Sequence, residues 1–333
     1  MPKFGPMLAA QKYQQPQDLW TPKHEALVLK HLATDGFLIV QPKYDGMRVL
    51  IDEGRPMSRS WTPWTHIPMQ RWARDHSDLL QGWDGEVIPG HAYDPTIFRS
   101  AMSGIRSAGG SETFTFYLFD NWDPSWAGKR YVDRYEAARH DFEQHGIFRE
   151  GDGYHAQVVL VPSYKVESLE GIYAHEVDFL AQGFEGAIIR RPFSGYKYGR
   201  STAVGGELVK IKRFKDFEAV IVGYNEAMEN TNELTVSNLG YAKRSAHKAG
   251  KVGKGYLGSF DCHRLGDPSN TFAIGVFKGW TIEDRRRLWE ARERLIGKII
   301  KCKEQEASGG YDKARTPVFD AFRDPIDIGS PYE

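Results

Sequence analysis

The sequence predicts an α+β protein whose first part is built on antiparallel sheets with flanking helices and whose second part is all-β. Three observations carry this expectation. Short apolar runs alternate with turns over residues 1 to 212, helical stretches at 131–145 and 168–182 lie among them, and a new series of strands opens after Arg213. At 333 residues the chain exceeds a typical single domain, so two packed domains are expected, at 1–213 and 214–333.

In the first part, Phe37-Leu38-Ile39-Val40, Phe114 to Phe119 and Ala187-Ile188-Ile189 read as β-strands rich in branched and aromatic residues. In the second part, Phe217 to Tyr224 opens the strand series, with Gly-rich turns between its members. One amphipathic helix interrupts it, beginning at Thr281 with Asp284 as its capping-box partner and stopping at Gly297. Ile282, Leu288, Trp289, Ala291, Leu295 and Ile296 form its apolar side. A region of about 120 residues with roughly five strands and one helix suits an OB-type barrel, and a small β-sandwich would read the same way.

Lysine plus arginine and aspartate plus glutamate each number 44, so any affinity for nucleic acid has to come from local basic surface. Such a surface is offered between Leu234 and Phe260, where no acidic residue occurs and Lys243, Arg244, Lys248, Lys251 and Lys254 alternate with glycines and serines. It reads as a mobile basic loop, either a soluble excursion or a segment that tracks phosphates. Cys262 and Cys302 form no C-x-x-C pair, which argues against a zinc module or a disulfide framework and fits a reducing compartment. No apolar run approaches the length of a membrane span and the start lacks the apolar core of a signal peptide, so the expectation is a cytoplasmic protein.

Five short segments carry chemistry. Gln41-Pro42-Lys43-Tyr44-Asp45-Gly46-Met47-Arg48 places Lys43 in a tight turn at a strand's end. A lysine is a nucleophile only when neutral, so its pKa near 10.4 has to be lowered by burial or by cations, with Arg48 a nearby candidate. In Asp84-Gly85-Glu86, residues two apart on an extended segment set both carboxylates on one face, where they could bind ribose hydroxyls or a hard cation. Phe116-Tyr117-Leu118-Phe119-Asp120 offers a ring for stacking on a base, with core packing the plainer role for Phe116 and Tyr117. Glu185-Gly186-Ala187-Ile188-Ile189-Arg190 carries a carboxylate where a strand begins, able to hold a divalent ion. Leu208-Val209-Lys210-Ile211-Lys212 puts two ammonium groups on one face, where they repel unless an anion lies between them.

Each segment alone is indistinguishable from an ordinary turn or strand end. Taken in order, Lys-x-Asp-Gly-x-Arg, Asp-Gly-Glu, the aromatic strand ending in Phe119-Asp120, Glu-Gly-x-x-x-Arg and Lys-x-Lys closely resemble the motif set of the covalent nucleotidyltransferase superfamily. That superfamily contains ATP-dependent DNA ligases, RNA ligases and mRNA capping enzymes. The resemblance spans nearly the whole chain, from Pro6-Met7-Leu8-Ala9 to Phe322-Arg323.

The resemblance implies that Lys43 attacks the α-phosphate of ATP, becomes lysyl-AMP and expels pyrophosphate. Asp45 and Arg48 would arrange nucleotide and lysine, Gln41 would contact adenine, Glu86 the ribose, and Phe119 would stack on the base. Glu185, with Glu86, would organise Mg²⁺, while Lys210 and Lys212 would stabilise charge on the transferring phosphate. Ser58-Arg59 resembles the element that grips the 5′-phosphate of a nick, and Arg200 matches an arginine near the nucleotide phosphate. Arg315 and Arg323 resemble the last ligase motif and would embrace the leaving pyrophosphate, although Asp324-Pro325-Ile326 departs from the pattern that usually follows.

Among the relatives, capping enzymes usually carry aspartate at the position of Glu185, and RNA ligases commonly lack an OB domain ending in an arginine motif. NAD-dependent ligases place an extra domain before the lysine and a zinc finger after the barrel. The expectation is therefore a minimal ATP-dependent DNA ligase of phage or viral type, monomeric, acting on nicked duplex DNA with the 243–254 segment helping to encircle it. RNA ligase or capping-type activity, and a non-catalytic nucleic-acid-binding protein, are the competing readings.

Overall fold

The computed structural model describes residues 5–10, 22–90, 104–145, 156–237, 240, 242–275, 277, 279–305 and 317–323. They divide into two compact units, Met1–Lys212 and Arg213–Glu333. No helix among the described residues is long and apolar enough to cross a membrane.

The first unit carries helices α1 (Pro22–Asp35), α2 (Ile67–Asp75), α3 (Tyr131–His145) and α4 (Leu169–Ala181). Its strands are β1 (Leu38–Pro42), β2 (Met47–Asp52), β3 (Arg55–Met57), β4 (Trp83–Pro89), β5 (Phe114–Asn121), β6 (Ala156–Leu160), β7 (Tyr164–Val166), β8 (Ala187–Arg190) and β9 (Val209–Ile211). They form a four-stranded sheet in the order β7-β1-β8-β9 and a five-stranded sheet in the order β3-β2-β4-β5-β6. All ladders of these sheets are antiparallel except β5 with β6, whose connection contains α3. A parallel pair needs a long crossover, and the helix supplies it.

Packing explains the sequence patterns. β1 is apolar without alternation at Leu38-Ile39-Val40 because it is an inner strand of its sheet, with Leu38 and Val40 against Val28 and Leu32 of α1 and Ile172 and Phe179 of α4. β5 does alternate: Phe114, Phe116 and Leu118 join the core under Trp72 of α2 and Ala138 of α3, while Tyr117 and Phe119 turn to the other face. Helix α4 starts after Ser168, whose side chain accepts a hydrogen bond from the Gly171 N–H, the usual way to satisfy a free amide of the first turn.

The second unit carries β10 (Phe214–Asn230), β11 (Leu234–Val236), β12 (Ala242–Arg244), β13 (Lys251–Arg264), β14 (Asp267–Ile274), helix α5 (Ile282–Glu290), β15 (Ile299–Gln305) and β16 (Val318–Phe322). The sheet order is β14-β13-β10-β15-β16, every ladder antiparallel. It is an open sheet among the described residues, with one parallel bridge from Phe277, after β14, to Phe319 of β16. Its core includes Ile221, Leu257, Phe260, Ile274, Ile300 and Phe319 together with both cysteines, which are free thiols that pack as small apolar side chains.

Two expectations need correction here. The segment expected to be a loop is largely strand: β10 and β13 stay paired as far as Asn230 and Lys251, and between them the described residues hold the β11–β12 pair and a 3₁₀ turn at Lys248–Gly250. The missing acids and frequent glycines reflect an exposed two-stranded ribbon, where nothing demands apolar side chains. The helix expected to run from Thr281 to Gly297 has the capping box at Thr281 and Asp284, but its α-helical part ends at Glu290 and tightens to a 3₁₀ turn over Arg292–Leu295. The Ala291 N–H shares itself between the Arg287 and Trp289 carbonyls, which draws the last turn in.

Candidate active site

Lys43 leaves β1 in a backbone clasp with the start of β8. Its N–H donates to the Gly186 carbonyl at 2.9 Å, and the Glu185 N–H donates to the Lys43 carbonyl, also at 2.9 Å. The clasp continues the β1–β8 ladder one step past Pro42 and Ala187 and sets Glu185 opposite Lys43. Two glycines permit the approach. A Cβ on Gly186, whose φ is +141°, would collide with the Ile211 carbonyl of β9, and one on Gly46 would lie 2.6 Å from the Ile88 side chain and 2.7 Å from the Val87 carbonyl.

Glu185, almost wholly buried, pairs with both Lys43 and Lys212. Burial alone would raise its pKa, but the two ammonium groups hold it down at about 2. The anion expected between Lys210 and Lys212 is not what Glu185 supplies: its carboxylate lies between Lys43 and Lys212. Lys43 also donates to the Tyr44 carbonyl at 3.4 Å. Burial pushes its pKa down, yet Glu185, Glu86 and Asp45 together outweigh burial and leave it raised. The expectation that nearby cations such as Arg48 keep this amine neutral is therefore reversed, because carboxylates are its dominant charged neighbours. Lys212 goes the other way, to about 7, through burial and the charge of Lys43; Lys210 is lowered by burial, Lys43, Arg200 and Arg59. Burial lifts Glu86 to about 7 against the pull of Lys43 and Arg48.

The expected carboxylate pair of Asp84 and Glu86 divides its work. Glu86 lines the cavity, whereas Asp84 is fully buried and takes the Arg48 guanidinium at both oxygens, through Nε and through Nη2 at 2.6 Å. So held, Arg48 lies 4.7 Å from the centre of the Phe119 ring. Gln41 is also more committed than a base-reading residue would be. Its amide nitrogen donates to Tyr131 Oη and Ser163 Oγ, each at 2.8 Å, and its oxygen accepts from Arg190 Nε at 3.0 Å. Arg190 in turn donates to Asp120 at 2.6 Å, which also holds buried Arg134 at 2.7 Å. β1, β5, β8 and α3 are thereby joined beneath the cavity.

The cavity itself encloses about 570 Å³. Lys43, Arg48, Arg59, Arg106, Arg190, Arg200, Lys210 and Lys212 line it, against Glu86 as the acidic lining residue. Four of the eight are paired with carboxylates outside the lining, Lys43 and Lys212 with Glu185, Arg48 with Asp84 and Arg190 with Asp120, and the surplus of cations still favours an anionic ligand. Phe119, Tyr44 and Val161 add an apolar wall, so a ligand with both a flat apolar part and phosphates suits it. Ser58 and Arg59 reach the cavity from a tight turn closed by Ser58 N–H to Thr62 O at 2.8 Å. Arg200 is oriented by the Ala9 carbonyl at 3.0 Å.

The structure thus gathers Gln41, Lys43, Arg48, Ser58, Arg59, Glu86, Phe119, Arg200, Lys210 and Lys212 around one cavity, with Glu185 behind Lys43 and buried Asp45 among the carboxylates that act on it. Lys243, Arg244, Lys248, Lys251 and Lys254 belong to the second unit, all exposed on its ribbon. Arg323, in the same unit, donates to Glu218 at 3.0 Å, and Arg315 lies outside the described residues. Sequence reasoning missed Arg106 and gave Arg190 no role. The position of Arg190 in Glu-Gly-x-x-x-Arg was a usable signal; Arg106 had none.

No family model and no curated protein matches the chain. Solved structures do. The chain is similar to the Chlorella virus DNA ligase–adenylate, at 25% identity over 97% of this chain and 99% of that one, with a TM-score of 0.50. It shares the fold of the Lig E DNA ligases, described as a minimal DNA-binding scaffold, at 18% identity over 96% of this chain and 99% of that one, with a TM-score of 0.62. The fold is that of the nucleotidyltransferase superfamily. Within that superfamily the likeness is to DNA ligases.

Proposed function

We propose that this enzyme seals 3′-hydroxyl/5′-phosphate nicks in duplex DNA through an AMP carried on Lys43. The observation that carries the reading is a lysine amine at the wall of a cavity with eight cations and one lining acid, bracketed by the carboxylate of Glu185. The first unit is then the adenylation domain. The second is an OB-type module, a reading supported by its five-stranded antiparallel order and by the bridge from Phe277, beyond the edge strand β14, to Phe319 of the other edge strand β16.

In the first step the Lys43 ammonium, held protonated by its carboxylate neighbours, loses its proton to them, with Glu185 as its direct partner, and the neutral Nζ attacks the α-phosphorus of ATP. A P–N bond forms, the bond from the α-phosphorus to the bridging oxygen breaks, and pyrophosphate leaves with the electron pair. Lys210 and Lys212 face the phosphates and offset the charge that accumulates there, the main help a protein gives to phosphoryl transfer. Phe119 offers its ring to the base, and Glu86, half-protonated near neutrality, can donate to or accept from a ribose hydroxyl. In the second step an oxygen of the nick's 5′-phosphate displaces Lys43 from the AMP phosphorus, with Ser58 and Arg59 holding that phosphate. The 3′-hydroxyl then attacks the activated 5′-phosphate and AMP departs.

A Mg²⁺ ion suits this donor set. Such an ion is ordinarily held by one or two carboxylates together with substrate phosphates; Glu86, on the cavity lining, would be that carboxylate, whereas Glu185 is taken up by Lys43 and Lys212. Among the described residues no cluster of three or more metal-binding side chains gathers. When bound, the ion would polarise the phosphates and ease departure of pyrophosphate.

Incubation with ATP and Mg²⁺ should add one AMP to the protein by intact mass, and Lys43→Ala should abolish the addition. No adduct on the unaltered protein would overturn the proposal. Parallel sealing assays on nicked DNA and nicked RNA duplexes assign the substrate, and sealing confined to RNA would replace this reading with an RNA ligase.

A further inference from the structure

Tyr196 belongs to none of the five motif segments, yet its hydroxyl completes a closed hydrogen-bond ring around Arg48. The Met7 N–H donates to Tyr196 Oη at 3.0 Å, and the hydroxyl donates to Asp84 Oδ2 at 2.7 Å. Asp84 accepts from both Nε and Nη2 of Arg48, and Nη2 returns to the Met7 carbonyl at 3.2 Å. Met7, Tyr196 and Asp84 are all buried. The ring therefore joins the amino-terminal segment, β2, β4 and the loop after β8 at one guanidinium, the one that lies over Phe119 in the cavity.

We infer that Tyr196 is a positioning residue for Arg48 in the transfer of AMP to Lys43, an inference that rests on the proposed function. A carboxylate paired with a guanidinium alone can swing about its last torsion and take the guanidinium with it. Fixing Oδ2 with a second donor, itself tethered to the Met7 backbone, removes that freedom, and each bond of a closed ring supports the others. Burial holds the phenol pKa well above its ordinary value, so the hydroxyl keeps its proton and remains a donor. The same ring makes Met7 part of the site through both of its backbone groups. It gives the Pro6-Met7-Leu8-Ala9 segment a task that its side chains do not reveal.

Tyr196→Phe removes the hydroxyl and keeps the ring, which packs with Met7, Leu50 and Trp122. Single-turnover formation of the AMP adduct over a range of ATP concentrations should show a maximal rate lowered by about 10- to 100-fold, the scale expected for a misplaced group, while half-saturating ATP changes little. Placed on Arg48→Ala, the same substitution should have no further effect on the rate, since residues acting through one another are not additive. Asp84→Asn provides a second route into the same cycle, with the same expectation on both backgrounds. An unchanged maximal rate in Tyr196→Phe would overturn the inference, whether or not its thermal unfolding midpoint falls. So would an equal loss with and without Arg48. Failure of the underlying function is a separate result, because then the unaltered protein would form no adduct.

Discussion

At the scale of single residues, the charge pairs fixed by burial carry the largest consequences. Asp120 serves Arg134 and Arg190 at once, and all three side chains are almost completely enclosed. Removing the shared carboxylate leaves two buried guanidiniums without their counter-ion, so Asp120→Asn should cost about 3–5 kcal/mol in denaturant unfolding. Its pH dependence follows from the same pair. Burial would raise the Asp120 pKa, but Arg134 and Arg190 more than offset it and hold it below its usual 3.8. A depressed carboxyl pKa stabilises the fold above the unfolded-state value and loses that contribution as pH falls through the folded value. The gap in stability between the unaltered protein and Asp120→Asn should therefore be constant at neutral pH and shrink below about pH 4. A gap that persists unchanged in acid would show that the Asp120 pKa is not lowered in the fold.

Lys43 teaches a related lesson at this scale. Its place at the end of a strand was legible in the apolar run and turn around it. Its protonation was not, because the carboxylate that dominates it stands 142 residues away in sequence. The same distance hid the commitments of Gln41, whose partners Tyr131, Ser163 and Arg190 come from three other segments of the chain.

At the scale of elements, β8 and β9 decide how closely the lysines gather. The glycine between Glu185 and Ala187 has φ +141° and lies against the Ile211 carbonyl, so Gly186→Ala meets both backbone strain and a direct clash. The strain alone is worth about 1–3 kcal/mol. The substitution should lower the thermal unfolding midpoint and slow formation of the AMP adduct, since relief of the clash moves β9, with Lys210 and Lys212, away from Glu185. Full adduct formation in a protein of lowered stability would separate the lysine geometry from the chemistry. Alternation along β5 is readable in the amino-acid order alone, because one face of a strand is set by a period of two. What that face meets is not: the same pattern would suit any half-buried strand, and only packing shows Phe116 in a core and Phe119 at a cavity.

At the scale of the whole molecule, the chemistry and the long basic ribbon lie in different units, and they should respond to different perturbations. Lys248, Lys251 and Lys254 are exposed on the ribbon. Replacing all three with alanine should leave stability and the AMP adduct unchanged while weakening binding to nicked DNA. The slope of log affinity against log salt should flatten by about 0.9 for each DNA phosphate that these lysines neutralise. An unchanged slope would remove the ribbon from the DNA interface.

The sequence by itself determined the main strands and helices of the first unit, the order of the chemical groups along the chain and the place of Lys43 at a strand's end. Those depend on local periodicity, turn residues and the spacing of motifs, all of which are properties of neighbouring residues. Tertiary structure alone decided that Glu185 bridges two lysines, that Asp84 serves Arg48, and that the expected loop is a paired ribbon. Each of these depends on groups brought together from distant parts of the chain, and the strength of a charge interaction is set by distance and burial in space, which sequence order does not record.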